Sequence, residues 1–299
     1  MGLRVNPDLR QVILDGLTNN NRDLNQAMQQ IATGQKLNSL SDDPAAVASL
    51  VGLRSQSSSN TQYLQNISSL TGSLQVADST MSSVVEALTS TMTLGVEGAN
   101  GTLNATNKQA IALQVQGLQQ QMLSLANTSY SGRYLFSGTA TTTAPFTLDS
   151  SAADGVQYHG NANRNSVEIS TGQAMPINLP GSQLFTQPGN DVFKSLQDLY
   201  TALQNGGDVG SATTEVQGAL AYVTTQRTFY GNSIARLNTA QTFLNQEQLQ
   251  LTQTESSTLS VDMAKAITDL SQTQTTQAAL LAAGGKISQS TLFDYLPSS

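Results

Sequence analysis

Residues 53–92 decide the fold of this chain, and they read LRSQSSSNTQYLQNISSLTGSLQVADSTMSSVVEALTSTM. From Leu53 to Met92, mostly apolar side chains recur at alternating intervals of four and three residues. This spacing is typical of a coiled-coil seam, and here it holds for more than five heptads. Because no proline occurs between residues 45 and 144, one uninterrupted helix about 70 Å long can form over this stretch.

The residues before this stretch indicate where the long helix begins, and they predict an earlier helix. Asp43 directly precedes Pro44, a pair typical of an N-cap residue and the first helical residue. Gly34 predicts the end of the earlier helix, as a glycine at a helix C-terminus does. Within that helix the four-three spacing reappears at Ile13, Leu17, Asn20, Leu24, Ala27 and Ile31.

The chain after this stretch predicts further helices. A turn at residues 98–101 is followed by helical spacing through Leu125. Helix returns after Asp191, turns at residues 205–207 and resumes near residue 211. Its apolar residues then repeat every seven positions at Val216, Val223, Tyr230, Leu237, Leu244 and Leu251. Helical spacing continues from Met263 to about residue 283.

Residues 137–190 predict a small β-rich insertion between the helices. Four of the seven prolines fall at 145–188, where apolar residues stand in short period-2 pairs. The predicted fold class is mainly α with a β insertion (α+β), in which both chain ends form a long, coiled-coil-like antiparallel helical bundle. The predicted domains are an N-terminal assembly helix (1–40), a helical domain in two parts (41–136 and 191–258), the β-rich outer domain (137–190) and a C-terminal assembly helix (259–299).

The charge content favours contact with other protein. Charged residues make up 11% of the chain, against about 25% in ordinary soluble proteins. Long helical faces with few charges are unusual for a monomer, so they hint at packing against neighbouring subunits. A net charge of −7 argues against binding to nucleic acid or to anionic membrane surfaces. No apolar run of membrane-spanning length occurs, which predicts no membrane insertion.

Catalytic signals are poor. The sequence contains no cysteine and a single histidine, His159, which we interpret as a surface residue of the β insertion. Asp42 and Asp43 are adjacent, and capping explains them better than metal binding does. We therefore predict no enzymatic activity, no metal and no cofactor. An alternative that stays open is a glycan-binding or glycan-cleaving site in the β insertion, lined by Phe146, Tyr158, His159 and Phe185.

The two end segments are too weak to be stable helices alone. Residues 8–33 offer roughly six good apolar side chains, each stabilising by about 1.5–3 kcal/mol if buried. Ordering the backbone costs about 1–2 kcal/mol per residue, so an isolated helix of this kind is marginal. We therefore predict that the ends form the subunit assembly interface, through Ile13, Leu17, Leu24, Ile31, Met263, Leu270, Leu280, Leu292, Phe293, Tyr295 and Leu296.

Several motifs resemble the flagellin superfamily. Three of them lie in the N-terminal part of the chain: residues 31–39 (IATGQKLNS), 41–45 (SDDPA) and 98–103 (GANGTL). Others resemble the hook–filament junction branch of that superfamily: residues 125–128 (LANT), 132–139 (GRYLFSGT), 145–146 (PF) and 290–296 (STLFDYL). The chain is thereby identified as a member of this superfamily, with flagellin itself as the nearest alternative.

The resemblance implies a role and partners. It implies a structural subunit that forms a ring of identical copies and links the hook-side junction protein to the flagellin filament. It further implies export by a flagellar chaperone and the flagellar type III export apparatus, without a cleaved signal peptide. The location that it implies is the extracellular flagellum. A glycan-directed activity would be a function of a different class.

Overall fold

The computed structural model describes residues 7–39 and 42–293, with side chains over residues 11–39 and 42–286. The chain divides into two compact units, described separately below. Unit 1 takes residues up to 58 and from 248 onward, and unit 2 takes residues 59–247. The five-domain division proposed above stays a prediction.

Helix dominates the described residues. The helices are α1 (Pro7–Thr33), α2 (Pro44–Gly98), α3 (Ala105–Ala126), α4 (Gly181–Leu184), α5 (Val192–Asn205), α6 (Val209–Leu259) and α7 (Met263–Phe293). The strands are β1 (Ser129–Tyr130), β2 (Arg133–Tyr134), β3 (Phe146–Leu148), β4 (Val156–Tyr158), β5 (Ser166–Ser170) and β6 (Gln173–Pro176). The fold is mainly α with a small β insertion, as the sequence predicts.

The predicted helix boundaries follow from local chemistry. After α1, Gly34 adopts φ +69°, the left-handed conformation that glycine tolerates best. Before α2, the Asp43 carboxylate accepts a hydrogen bond from the Ala46 backbone N–H at 3.0 Å, which confirms the predicted N-cap. Helix α7 runs to Phe293, beyond the point near residue 283 where the helical spacing ends and within the segment predicted as the C-terminal assembly helix. Its two internal glycines cost only about 1 kcal/mol each, and packing on α1 outweighs that cost.

Antiparallel packing of α2 against α6 builds the helical part of unit 2. The Arg227 guanidinium donates to both Asp78 carboxylate oxygens, at 2.9 and 3.1 Å. Farther along the pair, Asn60 Nδ2 donates to the Leu244 carbonyl at 2.9 Å. The α6 seam is confirmed as core, because every residue of its seven-residue repeat is buried. In the α2 seam, alternate positions from Asn60 to Leu88 are buried and the remaining positions are half-buried.

The β structure consists of antiparallel hairpins that pair β1 with β2, β3 with β4, and β5 with β6. It starts at Ser129, so the predicted start at residue 137 was too late. Ser131 and Gly132 explain the difference, because both adopt positive φ (49° and 75°) and turn the chain back within two residues. This tight turn joins β1 to β2, so the first hairpin follows directly after α3.

The aromatic residues of the insertion form an interior cluster. Phe146 lies 5.7 Å from Phe185 and 5.2 Å from Phe193, centroid to centroid, and all three rings are buried. A glycan site lined by Phe146 and Phe185 is therefore wrong, because neither ring reaches the surface. His159 is exposed, as predicted for a surface residue, and its Nε2 lies 2.8 Å from Thr147 Oγ1.

Asp191 caps α5 from a half-buried position. Its side chain accepts a hydrogen bond from the Lys194 backbone N–H at 2.8 Å. Burial nevertheless raises the pKa of the Asp191 carboxyl to about 6, and the nearby charge of Asp154 adds to the increase. The folded state therefore binds a proton at Asp191 more tightly than the unfolded state does. It follows that this group lowers stability as the pH rises from about 4 to above 6.

Replacing Asp191 with asparagine is expected to stabilise the protein by about 1–2 kcal/mol near pH 7.5 and to have little effect near pH 4. Asparagine caps a helix about as well as aspartate and carries no charge to desolvate. Urea unfolding at both pH values, followed by circular dichroism, measures the difference. A variant that is less stable than the unmodified chain near pH 7.5 would show that the charge of Asp191 stabilises the fold.

In the part of the chain that the structure describes, none of the helices combines the length and the apolar character needed to cross a membrane.

Candidate assembly interface

In unit 1, α1 and α7 run antiparallel and pack along most of their length. Asn20, which is 7% exposed, donates from Nδ2 to the Thr273 carbonyl at 3.2 Å. One helical turn after Thr273 on α7, Gln277 Nε2 donates a hydrogen bond to Asn21 Oδ1 at 2.8 Å. Polar side chains buried between two helices favour one alignment over others, so these two bonds fix the register of α1 on α7.

Apolar side chains lie opposite two glycines of the α1–α7 pair. A methyl group added at Gly16 would lie 3.7 Å from Leu280, and one added at Gly284 would lie 3.8 Å from Ile13. Both separations are ordinary van der Waals contact, so the apolar side chains opposite the glycines already fill the space between the helix backbones. The same contact explains why α7 stays helical through Gly284.

The seam residues predicted as an assembly interface lie at the contact between these two helices of one chain. Six of them are half-buried there: Ile13, Leu17, Leu24, Ile31, Leu270 and Leu280. Met263 is the first residue of α7 and is 43% exposed. Leu292 and Phe293 belong to the backbone range of α7, but their side chains, and all of Tyr295 and Leu296, lie outside the described residues. Their role in assembly stays a prediction.

One face of the α1–α7 pair is polar and charged. It contains the residues that directly precede the seam residues, such as Asp23, Gln26, Lys265, Asp269 and Gln272. Together with the seam these residues line an open groove of about 810 Å³. We refer to this side of the pair as the charged face.

The opposite face contains the residues that directly follow the seam residues. They are Leu14, Thr18, Asn21, Asn25, Met28 and Ala32 of α1, and Ala264, Ile267, Ser271, Gln274, Ala278, Leu281 and Gly285 of α7. None of these positions carries a charge. Leu14, Met28, Ile267 and Leu281 are 53%, 45%, 52% and 57% exposed. We refer to this side as the uncharged face.

Sequence reasoning noted long helical faces with few charges, but it did not identify the residues that form this face, although a signal for them was present. One residue along an α-helix corresponds to a rotation of about 100°. Leu14 follows Ile13, and Leu281 follows Leu280, so each projects beside the seam rather than into it. Apolar residues that repeatedly follow a seam residue indicate a second packing face. Exposed apolar side chains clustered on one face mark a protein contact.

Comparison with protein families gives matches at both ends of the chain. Residues 9–141 match the model of the bacterial flagellin N-terminal helical region, and residues 213–296 match that of the C-terminal helical region. Together the two matches cover more than half of the chain and include the whole α1–α7 seam. They fall on the segments that form the long helices.

Two relatives carry the same name, flagellar hook-associated protein 3. The protein from Salmonella typhimurium is 29% identical over 212 residues, or 69% of this chain and 65% of that protein. The protein from Escherichia coli is 31% identical over 171 residues, or 57% of this chain and 52% of that protein. The chain thus spans somewhat less than two thirds of the length of the first relative and about half that of the second.

A solved structure supports the same fold. It is that of a provisionally assigned flagellar hook-associated protein from Vibrio parahaemolyticus, with a TM-score of 0.67 and 24% identity. The match covers 73% of this chain and all of that one. The fold, the paired terminal helices and the two family matches agree: this chain belongs to the bacterial flagellin family.

Proposed function

We propose that this chain is a non-enzymatic structural subunit of the junction between the hook and the filament of a bacterial flagellum. The observation that carries the proposal is its similarity to two relatives that are both named flagellar hook-associated protein 3. The motifs at residues 132–139 and 290–296, which resemble the junction branch of the family, support the same placement.

The uncharged face supplies the physical basis for assembly. Burying one exposed leucine or isoleucine stabilises an interface by about 1.5–3 kcal/mol. Leu14, Met28, Ile267 and Leu281 lie on the same side of the α1–α7 pair, so a neighbouring subunit can cover them together. Because none of the positions on this face is charged, its burial desolvates no ion. Packing at the seam then holds the two ends of one chain together, while the uncharged face holds neighbouring chains together.

The proposed partners follow from this placement. Identical copies form a ring, with the hook-side junction protein on one side and flagellin on the other. We further propose that the chain reaches the extracellular flagellum through a flagellar chaperone and the type III export apparatus, without a cleaved signal peptide. No cofactor is required for a role of this kind.

Deletion of the gene tests the proposal. Cells without the chain are expected to carry hooks that lack filaments and to shed flagellin into the medium, as seen by electron microscopy and immunoblotting. Reintroducing the chain restores the filaments. Normal filaments on the deleted cells would contradict the proposal.

Flagellin is the second candidate, because both matched family models are named for it. The same deletion separates the two. If the chain were the filament subunit, cells without it would lack filaments and would also fail to shed flagellin. Shed flagellin therefore supports the junction role, and its absence from both filament and medium supports the filament role.

A further inference from the structure

Unit 2 contains a cleft between α2 and the β hairpins. Its volume is about 450 Å³, and Ser69, Ser73, Arg133, Tyr134 and Ser166 are among the residues that line it. No carboxylate belongs to the lining, although the chain as a whole carries a net charge of −7. Arg133 is exposed and forms no ion pair with any residue that the structure describes. The cleft therefore presents a cation and hydroxyl groups to an acidic partner.

The β3–β4 hairpin presents the opposite chemistry. Leu148, at the end of β3, is 74% exposed. The loop that follows carries Asp149 and Asp154 and no basic residue. Asp149 Oδ1 accepts hydrogen bonds from the Ser151 backbone N–H at 2.9 Å and from its hydroxyl at 2.6 Å, which holds the loop in a defined turn. The hairpin loop is thus acidic and is held by local hydrogen bonds, with an exposed apolar side chain at its base.

We infer that the β3–β4 hairpin tip of one copy docks into the cleft of a second copy, with its carboxylates facing Arg133 and Leu148 covered by the cleft rim. This inference rests on the proposed function, in which identical subunits assemble. Charge complementarity supports the inference: the cleft has an arginine without an ion pair and no carboxylate in its lining, and the hairpin loop has two carboxylates and no basic residue. A leucine exposed as fully as Leu148 gains most from such a contact.

The inferred contact joins two different surfaces of the subunit. The cleft and the tip share no residue, so each copy uses one surface to donate and a different surface to receive. A contact of this heterologous kind does not stop at a dimer, and it closes into a ring when the rotation between copies permits. The inferred contact is therefore of the kind that a ring of identical subunits needs.

Thiol cross-linking tests the inference, because the natural chain contains no cysteine. Ser69 lines the cleft and Ser150 lies in the tip loop, and both are exposed. A double variant, Ser69→Cys with Ser150→Cys, is expressed in cells deleted for the natural gene, and isolated flagella are treated with a short thiol-specific crosslinker. A ladder of dimers, trimers and larger species is expected. The matched control pairs Ser69→Cys with Ser90→Cys, an exposed position outside both surfaces, and should give no ladder.

Exchanging the charges of Arg133 and Asp154 is the second part of the test. In the double-cysteine background, Arg133→Glu is expected to lower the ladder yield by about tenfold, and adding Asp154→Lys is expected to restore it. Arg236→Glu, an exposed arginine on α6 outside the cleft, should leave the yield unchanged. Restoration excludes misfolding as the cause of the loss.

The outcomes separate this inference from the proposed function. If the double-cysteine chain is present in isolated flagella and no ladder forms, the inferred contact is wrong and the junction role stands. If the unmodified chain is itself absent from isolated flagella, the proposed function fails, and the inference fails with it.

Discussion

Replacing Gly138 with alanine is expected to lower the free energy of unfolding of unit 2 by about 3–5 kcal/mol. Gly138 adopts φ +70°, a conformation that L side chains rarely adopt. A methyl group there would overlap both the backbone carbonyl oxygen and Oδ1 of Asn161. Neither oxygen can move easily, because Asn161 Oδ1 accepts from the Thr139 backbone N–H at 3.0 Å and the Asn161 backbone N–H donates to Ser137 at 3.1 Å.

Hydrogen bonds to the Gly138 carbonyl oxygen make the substitution more destabilising still. It accepts hydrogen bonds from Asn165 Nδ2 at 3.0 Å and from Asn178 Nδ2 at 3.1 Å. Any backbone shift that relieves the overlap weakens these bonds, and Asn178 is a buried side chain that depends on them. One substitution therefore disturbs the loop after β2 together with the segments that flank β5 and β6.

Gly132→Ala is the matched control. Gly132 has a similar φ of +75°, but open space surrounds the position of the added methyl group. Only the backbone strain remains, which is about 1 kcal/mol. Urea unfolding of both variants gives the comparison. Equal destabilisation of the two would show that conformation alone, and not contact with Asn161, sets the need for glycine at residue 138.

Replacing Leu281 with aspartate is expected to abolish incorporation into the flagellum while leaving the chain folded. Leu281 is 57% exposed in unit 1, so the substitution changes the stability of the free chain by about 0.5 kcal/mol or less. On the uncharged face it would place a charge where a neighbouring subunit covers the surface. Burying an unpaired carboxylate costs several kcal/mol at each contact, and the cost is repeated around the assembly.

Thr276→Asp is the matched control for this prediction. Thr276 lies on the same helix, is exposed and belongs to the charged face. The amount of each variant in isolated flagella, measured by immunoblotting against the amount in cells, tests the difference. Equal incorporation of the two variants would contradict the assignment of the uncharged face to assembly.

The sequence predicted the long helices because their periodicity is a local signal that the packed structure must satisfy. Leu53 to Met92 hold one register without interruption, and the seven-residue repeat from Val216 to Leu251 holds another. Every member of that repeat is buried. The Asp43 cap was predictable for a related reason, because an N-cap bond involves residues only three positions apart.

The remaining features depend on contacts that a local pattern does not contain. Gly284 lies beyond the helical spacing that the sequence shows, but packing opposite Ile13 keeps it within α7. The seam predicts which residues pack together, yet it does not say whether the partner helix belongs to the same chain. For Leu24 and Leu270 the structure supplies a partner within the chain, which moves the search for an assembly surface to their neighbours. Residue 138 must be glycine because of its contact with Asn161, a residue 23 positions away in the sequence.

The location of the chain in the flagellum is the most direct test of its proposed role. Immunogold labelling of intact flagella, with an antibody raised against this chain, measures that location by electron microscopy. A narrow band of label where the filament meets the hook is the predicted result. Label along the whole filament, or flagella without label at the junction, would contradict it.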